Sequence, residues 1–186
     1  MSVQVEKWAF TVDEYHRMSE AGILSETDRV ELIEGEIVKM SPIGKLHAAC
    51  VKRLNKGLNR KVGDDAIVSV QDPIRLDDYS EPEPDIALLK PRADFYAQDL
   101  PTAEDVLLII EVADSSVEYD RTVKLPLYAK AGVPETWLAN LREDRIEAYS
   151  EPVNGVYQRV RIINRGEIVS PTGLPTLLLT AEEILG

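Results

Sequence analysis

The chain has 186 residues, of which 44 % are hydrophobic and 29 % charged, and its formal net charge is −12 at pH 7. This balance excludes the composition of a disordered chain, and the length predicts a single domain over residues 1–186. A single cysteine, Cys50, excludes an internal disulfide and a zinc cluster. No secretory signal and no membrane-length apolar run is visible, so we expect a cytoplasmic protein without a membrane segment.

Capping signals and apolar periodicity predict the elements of the amino-terminal part. Thr11 and Glu14 are spaced as a capping box at the start of a first helix. Two short strands follow within residues 30–40, with a tight turn at Gly35. Residues 47–62 carry apolar side chains at three- and four-residue steps, which predicts an amphipathic helix.

Runs of aliphatic residues predict a sheet in the remainder of the chain. Residues 106–112 are so uniformly apolar that we expect a central strand covered on both faces. Residues 116–131 have helical spacing, although Pro126 lies among them, and residues 90–105 form a long linker. Further strands are expected at residues 66–70, 73–76, 85–89, 136–139, 145–149 and 156–163, and a last helical turn at 180–185.

Two acidic residues lie on apolar strands, where an ionised carboxylate is costly. Asp85 begins the strand at 85–89, and Glu111 lies near the end of the strand at 106–112. Such carboxylates are tolerated when they are paired or bind a metal, so two of them at one sheet edge predict a site for Mg²⁺ or Mn²⁺. A metal held in this way can polarise a phosphoryl oxygen and activate a water molecule for phosphodiester hydrolysis.

Lys124, on the helix that follows Glu111, is the residue that completes this chemistry. Its ammonium group could reach back to the carboxylates and stabilise charge on the attacking or leaving oxygen. A lysine on a helix is more often a solvated surface residue. The alternative for Asp120 and Lys124, four residues apart, is an ordinary salt bridge along the helix.

These residues resemble a known motif. Pro84-Asp85, Glu111-Val112-Ala113 and Lys124 are similar to the PD-(D/E)XK motif of the restriction-endonuclease-like superfamily, with the lysine displaced because Ala113 occupies its usual place. The wider context resembles the Uma-type endonuclease family. It comprises Glu31-Leu-Ile-Glu-Gly-Glu-Ile-Val, Met40-Ser-Pro with His47, Ile110-Glu111-Val112, Ser115-Ser116, Asp120, Tyr128 and Gly132-Val-Pro-Glu-Thr-Trp137.

The resemblance implies an α/β fold of the restriction-endonuclease-like type, a mixed sheet flanked by helices with additional short antiparallel strands. It implies a divalent-metal-dependent endonuclease that hydrolyses DNA phosphodiester bonds. Asp85 and Glu111 would be metal ligands, the Val112 carbonyl a third ligand, and Lys124 the catalytic cation. The chain departs from the family pattern at Thr136, where the family has tyrosine, and at Asn140, where it has aspartate.

Two further residues are assigned to the site. Strand alternation places Glu31 on one face and Glu34 and Glu36 on the other. Glu31 is favoured as the acid near the site, and Glu34 and Glu36 stay as alternatives. His47 is a candidate phosphate contact or general base. The alternative for His47 is a residue at the helix start that bonds to the nearby loop.

The prediction of a DNA partner must be reconciled with an acidic protein. Residues 45–61 carry several basic side chains and no acidic one, and we expect DNA contacts from Lys45, Lys52, Arg53, Lys56 and Arg60. A homodimer would align two such helices. The net charge of −12 also supports an alternative, a catalytically weak or inactive DNA-binding or assembly protein that retains the fold.

Overall fold

The computed structural model describes residues 7–25 and 27–186. The expectation about the amino terminus partly concerns residues 1–6, which lie outside the described part of the chain. None of the described helices is long and apolar enough to cross a membrane.

Helices and groups of strands are interspersed along the chain, with both types in each half. In chain order they are α1 (Val12–Glu20), β1 (Val30–Ile33), β2 (Glu36–Lys39), α2 (Lys45–Val62), β3 (Ile67–Ser69), β4 (Ile86–Leu89), β5 (Val106–Ala113), α3 (Val117–Tyr119), α4 (Leu125–Ala131), β6 (Glu135–Asn140), β7 (Arg145–Val153), β8 (Val156–Ile163), β9 (Ile168–Val169), β10 (Leu179–Thr180) and α5 (Ala181–Leu185).

A six-stranded mixed sheet in the order β3-β4-β5-β6-β7-β8 forms the centre of the protein. β5 and β6 are parallel and all other neighbours are antiparallel. A parallel pair needs a crossover connection, and the helical segment between β5 and β6 supplies it. The separate hairpins β1–β2 and β9–β10 are the additional antiparallel strands. The predicted fold class is therefore confirmed.

Apolar side chains cover both faces of this sheet. On β5, Leu108 and Ile110 belong to the core beneath α2 and α5, whereas Ile109 belongs to the core beneath α4. Side chains alternate between the two faces of a strand, so Glu111 lies on the same face as Ile109. The carboxylate of Glu111 is thereby directed towards the helical segment that carries Lys124.

Several elements differ from the expectation. The strand predicted at residues 73–76 is wrong, because this stretch is irregular and makes only an isolated bridge between Arg75 and Thr102. Its apolar character reflects the burial of Ile74 beneath the sheet rather than strand pairing. The two-residue strands β9 and β10 are too short to give a periodic signal. The linker at residues 90–105 is an irregular loop that ends in a 3-10 turn.

The helix predicted at residues 116–131 consists of three successive parts. α3 is followed by a π-helical turn, Asp120–Lys124, and then by α4, in which Pro126 occupies the first turn. Proline lacks an amide proton and so cannot donate a helical hydrogen bond, and here it directly follows the π-helical turn, where the regular α-helical hydrogen-bond pattern is already interrupted. π-Helical turns are rare and frequently occur at functional sites.

A buried ion cluster holds the outer side of the π-helical turn against the sheet. The guanidinium group of Arg121 donates two hydrogen bonds to the carboxylate of Glu147 on β7. Arg145 and the Tyr149 hydroxyl donate to the same carboxylate. Although burial raises the pKa of Glu147, these hydrogen bonds outweigh it and lower the pKa to about 2. The cluster therefore ties the turn to β7.

We expect Glu147→Gln to reduce the free energy of unfolding by about 2–3 kcal/mol at neutral pH. A folded-state pKa below the unfolded value stabilises the protein above pH 4.5, and this contribution is lost as the pH falls towards about 2. Urea unfolding over this range should show a shallower acid dependence in Glu147→Gln. Glu143→Gln, at a more exposed carboxylate near Arg121, is the control and should change little. Equal acid dependence of the parent and Glu147→Gln would contradict the assignment.

Candidate active site

A cavity of about 430 Å³ opens where the chain enters β4 and leaves β5. Its wall comes from the β1–β2 hairpin, the start of α2 and the segment that crosses from β5 to β6. Six carboxylates line it, outnumbering the cationic side chains. The acids are Glu31, Glu83, Asp85, Glu111, Asp114 and Asp120, and the Arg and Lys side chains are Arg29, Lys39 and Lys124.

Asp85 lies at the floor of the cavity and is held by groups from three elements. Its Oδ2 accepts a hydrogen bond of 2.9 Å from the Val112 amide and lies 2.8 Å from His47 Nε2. Its Oδ1 accepts a hydrogen bond of 3.1 Å from Gln71 Nε2. The hydrogen bond that His47 makes to Asp85 raises the pKa of His47, while burial opposes the rise. A raised pKa increases the charged fraction of the imidazole at a given pH.

Glu111 lies beside Asp85 and is almost fully buried. The Tyr128 hydroxyl donates a hydrogen bond of 2.6 Å to its Oε1, and the Asp85 amide donates one of 3.3 Å to its Oε2. Burial raises the pKa of Glu111, although the positive charge of Lys124 opposes this effect. The charged form of such a buried carboxylate is stabilised by an additional cation nearby.

Lys124 reaches the cavity with an ammonium group that is almost completely buried. Its Nζ lies 3.0 Å from Glu31 Oε2 and 3.3 Å from Glu111 Oε1. Burial lowers the pKa of Lys124, but the two carboxylates outweigh burial and the net shift is upward, so the side chain is a cation. Lys124 therefore contacts one carboxylate from the hairpin and one from the sheet.

The helix salt bridge considered for Asp120 and Lys124 is not formed. Asp120 instead accepts a hydrogen bond of 2.7 Å from the Ser116 hydroxyl. Burial raises the pKa of Asp120, and the Ser116 hydrogen bond and Lys124 oppose it. Asp120 thus acts within the cavity through its charge and does not hold Lys124 by direct contact.

The side chains of this segment that approach the site are spaced four residues apart along the chain. They are Ser116, Asp120, Lys124 and Tyr128. In a regular α-helix every fourth residue is rotated by about 40°, so three such steps would turn the side chain by about 120°. A π-helical turn contains more residues per turn and so reduces this drift. The turn explains how one segment supplies a row of inward-facing polar side chains.

The hairpin orients its three glutamates differently. Glu31 on β1 is buried, lines the cavity and accepts a hydrogen bond of 3.3 Å from the Glu83 amide. Glu34 and Glu36 are exposed and pair with Lys130 and Lys7. The structure thus brings Glu31, but neither of the other two, to the site.

Two buried polar atoms at the cavity lack a hydrogen-bond partner among the described residues. They are His47 Nδ1 and the Tyr119 hydroxyl. Burial and the nearby Glu31 raise the pKa of Tyr119 to about 12, so its hydroxyl remains protonated at neutral pH. An unpartnered buried polar group costs about 1–3 kcal/mol, so both atoms would gain from a ligand that completes their hydrogen bonds.

Sequence reasoning did not assign Gln71, Tyr119 or Tyr128 a role. Tyr128 could have been found from its four-residue spacing to Lys124. Gln71 has no such signal, because it lies in an irregular segment and is placed only by the folded sheet.

The two departures from the family pattern lie in structural positions. Thr136 Oγ1 lies 2.8 Å from the Tyr157 hydroxyl within the core. Asn140 Oδ1 accepts amide hydrogen bonds from Arg142 and Glu143 and so shapes the turn between β6 and β7. Neither departure changes the cavity lining.

The basic residues predicted to contact DNA lie on α2, and all five are exposed. Lys52 and Lys56 are each two residues from a buried leucine, Leu54 and Leu58, which places them about 160° away around the helix. His47 shares the buried side. Lys52 and Lys56, called here the basic stripe of α2, therefore face away from the sheet, and the role of the five basic residues in DNA binding stays a prediction.

The residues present fit a hard divalent cation in part. Among residues 7–25 and 27–186, no three His, Cys, Asp or Glu side chains are spaced as a complete metal site. Mg²⁺ commonly uses only one or two protein carboxylates with water and substrate oxygens, which suits Asp85 and Glu111. The amide and carbonyl of an extended residue point to the same neighbouring strand, so the Val112 carbonyl also lies on the Asp85 side.

Comparison with solved structures supports the class of fold. A crystal structure of "a putative nuclease belonging to DUF820" from Anabaena variabilis ATCC 29413 superimposes with a TM-score of 0.75. The match has 20 % sequence identity and covers 95 % of this chain and 97 % of that chain. At this identity the similarity shows the fold. A search of curated proteins finds no match.

The family is shown by the sequence itself. A model of the Uma2 family, described as "Putative restriction endonuclease", matches residues 12–182. The protein belongs to the Uma2 family, and the predicted resemblance is confirmed.

Proposed function

We propose that the protein is a divalent-metal-dependent endonuclease that hydrolyses phosphodiester bonds of DNA. Asp85 and Glu111, with the Val112 carbonyl, would hold Mg²⁺ or Mn²⁺. Lys124 would be the catalytic cation, and Glu31 and His47 would assist it. Membership of the Uma2 family supports the nuclease class. The metal, the substrate and the residue roles belong to the proposal.

One observation carries the proposal. In this proposal Lys124 stands in for the motif lysine, whose usual place is occupied by Ala113. Its buried ammonium nitrogen lies 3.3 Å from Glu111 Oε1, although Lys124 belongs to the helical segment that follows β5. Burying a lysine is costly, and a charge placed beside a strand-borne carboxylate pair at an open cavity is typical of a catalytic site. An ion pair with only a structural role requires neither an open cavity beside it nor unpartnered polar atoms such as His47 Nδ1 and the Tyr119 hydroxyl.

The reaction follows from these positions. The oxygen of a water molecule forms a bond to phosphorus while the bond from phosphorus to the leaving oxygen breaks; the water molecule loses one proton to solvent, and the leaving oxygen takes up one proton from solvent. A bound divalent ion would polarise the phosphoryl group and acidify the water. Lys124 stabilises negative charge on the phosphoryl or leaving oxygen, and Glu31 keeps its ammonium in place. His47 contacts the phosphate through its positive charge.

A second candidate function is a DNA-binding or assembly protein with little or no catalysis. Three of the buried carboxylates have charged or polar partners without a metal, since Lys124 lies between Glu31 and Glu111 and His47 is hydrogen-bonded to Asp85. The basic stripe on the outer face of α2 could also serve such a role without reaching the cavity.

Cleavage and metal binding together distinguish the two candidates. Plasmid, linear, single-stranded and branched DNA would be incubated with Mg²⁺ or Mn²⁺ and the parent protein, Asp85→Asn or Lys124→Ala. We expect cutting by the parent only. Because a ligand that binds the folded state stabilises it, either metal should raise the Tm of the parent but not of Asp85→Asn.

The control is Asp72→Asn, which alters an exposed carboxylate near β4 and should retain both cutting and the metal-dependent Tm. Absence of cutting and of metal stabilisation in the parent would favour the binding protein. Cutting that survives in Asp85→Asn would place the active site elsewhere.

The proposal includes a cytoplasmic homodimer that binds one DNA duplex. Sedimentation of the protein with and without duplex DNA would measure this association. A monomer in both conditions would remove the dimer from the proposal.

A further inference from the structure

DNA must approach a cavity whose carboxylates outnumber its cations, on a protein with a net charge of −12. The carboxylates of Glu31 and Glu111 offset the positive charge of Lys124, so Lys124 attracts a phosphate from solution only weakly. Attraction therefore requires other positive side chains near the cavity mouth. Two cavity-lining side chains, Arg29 and Lys39, meet this requirement.

Arg29 and Lys39 lie at the open end of the β1–β2 hairpin. Lys39 is the strand partner of Val30, and the Met40 amide donates a hydrogen bond of 2.9 Å to the Arg29 carbonyl. The two residues thus border the loop formed by residues 41–44, which also lines the cavity. They form a pair of cations on one edge of the site.

Neither Arg29 nor Lys39 forms an ion pair with another described residue. Within the described parts of the chain, no carboxylate oxygen lies within 4.0 Å of the Arg29 guanidinium or the Lys39 ammonium. Arg29 donates a hydrogen bond of 3.1 Å to the Ser41 carbonyl, which orients its side chain. Burial and Glu31 raise the pKa of Glu83, and Arg29 opposes the rise, so the field of Arg29 reaches into the cavity.

The basic stripe on α2 is placed less favourably for the reaction. Lys52 and Lys56 lie on the side of the helix that faces away from the sheet, opposite to His47. A phosphate held there is separated from Asp85 by the body of the helix. A phosphate held by Arg29 and Lys39 lies on the rim of the cavity itself.

We propose that Arg29 and Lys39 bind the DNA phosphates next to the scissile bond and form the principal electrostatic contact of this site with DNA. This inference rests on the proposed function, because it takes DNA as the substrate. It assigns the guidance of the backbone to the hairpin rather than to α2. Arginine suits the role because its planar fork can bind two oxygens of one phosphate.

The test measures binding without requiring cleavage. Fluorescence anisotropy would follow a labelled duplex with Ca²⁺ in place of Mg²⁺, over a series of salt concentrations, and a gel would verify that the DNA stays intact. Each lost phosphate contact lowers the steepness of log K against log salt concentration by about 1. We expect a decrease of about 2 for Arg29→Gln/Lys39→Gln and weaker binding at every salt concentration.

The competing assignment is tested with Lys52→Gln/Lys56→Gln, which makes the same change of net charge on α2, where the sequence alone predicts DNA contacts. We expect it to leave the salt dependence within about 0.5 of the parent. The single variant Lys39→Gln controls for a change in the conformation of the loop, because Lys39 is exposed. It should lower the steepness of log K against log salt concentration by about 1. A decrease in the α2 variant with none in the hairpin variants would overturn the inference.

The outcomes separate this inference from the nuclease proposal. If the parent binds DNA with the hairpin-dependent salt effect but never cuts, the nuclease proposal fails and the role of Arg29 and Lys39 stands. If it cuts and the hairpin variants bind as the parent does, the inference fails alone. Absence of any DNA binding by the parent overturns both.

Discussion

Lys124→Ala is expected to abolish detectable DNA cleavage, with a rate loss of at least about 10²- to 10³-fold, and to destabilise the fold. Removing one partner from a buried ion pair costs about 3–5 kcal/mol, because the other charge stays buried without compensation. In this protein two carboxylates, Glu31 and Glu111, would be left in that state. Urea unfolding and single-turnover cleavage would measure the two effects.

Low pH should reduce the loss of stability caused by Lys124→Ala. Without Lys124 the pKa of Glu111 rises further, so protonation at low pH removes a buried charge. The difference in free energy of unfolding between parent and variant should therefore be smaller at about pH 5 than at about pH 8.

The stability and cleavage losses can be separated with a second variant. Lys124→Met/Glu31→Gln removes one charge of each sign and should recover part of the stability, but none of the cleavage. Recovery of cleavage in this double variant would show that Lys124 has no catalytic role. An undiminished stability of Lys124→Ala would contradict the buried ion pairs.

Gly35→Ala is expected to lower the free energy of unfolding by about 3 kcal/mol, through a clash at the turn of the β1–β2 hairpin. Gly35 has a φ of +79°, and a Cβ atom there would lie 2.7 Å from the Cβ and 2.9 Å from the Cα of Ala9. Backbone atoms cannot move aside cheaply. Because this hairpin carries Glu31, cleavage should fall with stability, and thermal unfolding should show a Tm decrease of about 6–12 °C.

Gly22→Ala is the control for the backbone contribution. Gly22 has a similar φ of +72°, but among the described residues other than its two chain neighbours no heavy atom lies within 4 Å of the added Cβ. It should cost only about 1 kcal/mol, or about 2–4 °C in Tm. Equal effects of the two substitutions would show that the segment around Ala9 does not pack against the turn as described.

The elements with a regular period could be predicted from the sequence. The capping box at Thr11, the hairpin about Gly35, the amphipathic α2 and the apolar β5 all occur where expected. Asp85 and Glu111 were also expected at one sheet edge, and the antiparallel pairing of β4 with β5 brings them together. These features depend on local propensity and on one pairing of neighbouring strands.

The remaining site geometry depends on contacts between distant segments. Glu31 reaches the cavity because β1 is joined to the chain before Asp85 through the pairing of Leu32 with Glu81. Gln71 reaches Asp85 from an irregular segment after β3. No periodic pattern in a single sequence encodes such placements, and the clustering of basic residues on α2 did not reveal Arg29 or Lys39 at the cavity.

The π-helical turn Asp120–Lys124 also limits how the gene can change in length. Its five residues turn through about the same angle as four residues of a regular α-helix, so deleting one codon within it would leave a regular helix whose two ends keep nearly the same orientation. Deleting one codon between Lys124 and Tyr128 would instead rotate Tyr128 by about 100° and remove its hydroxyl from Glu111. Single-codon deletions in this helical segment should therefore be less damaging within the π-helical turn than after it.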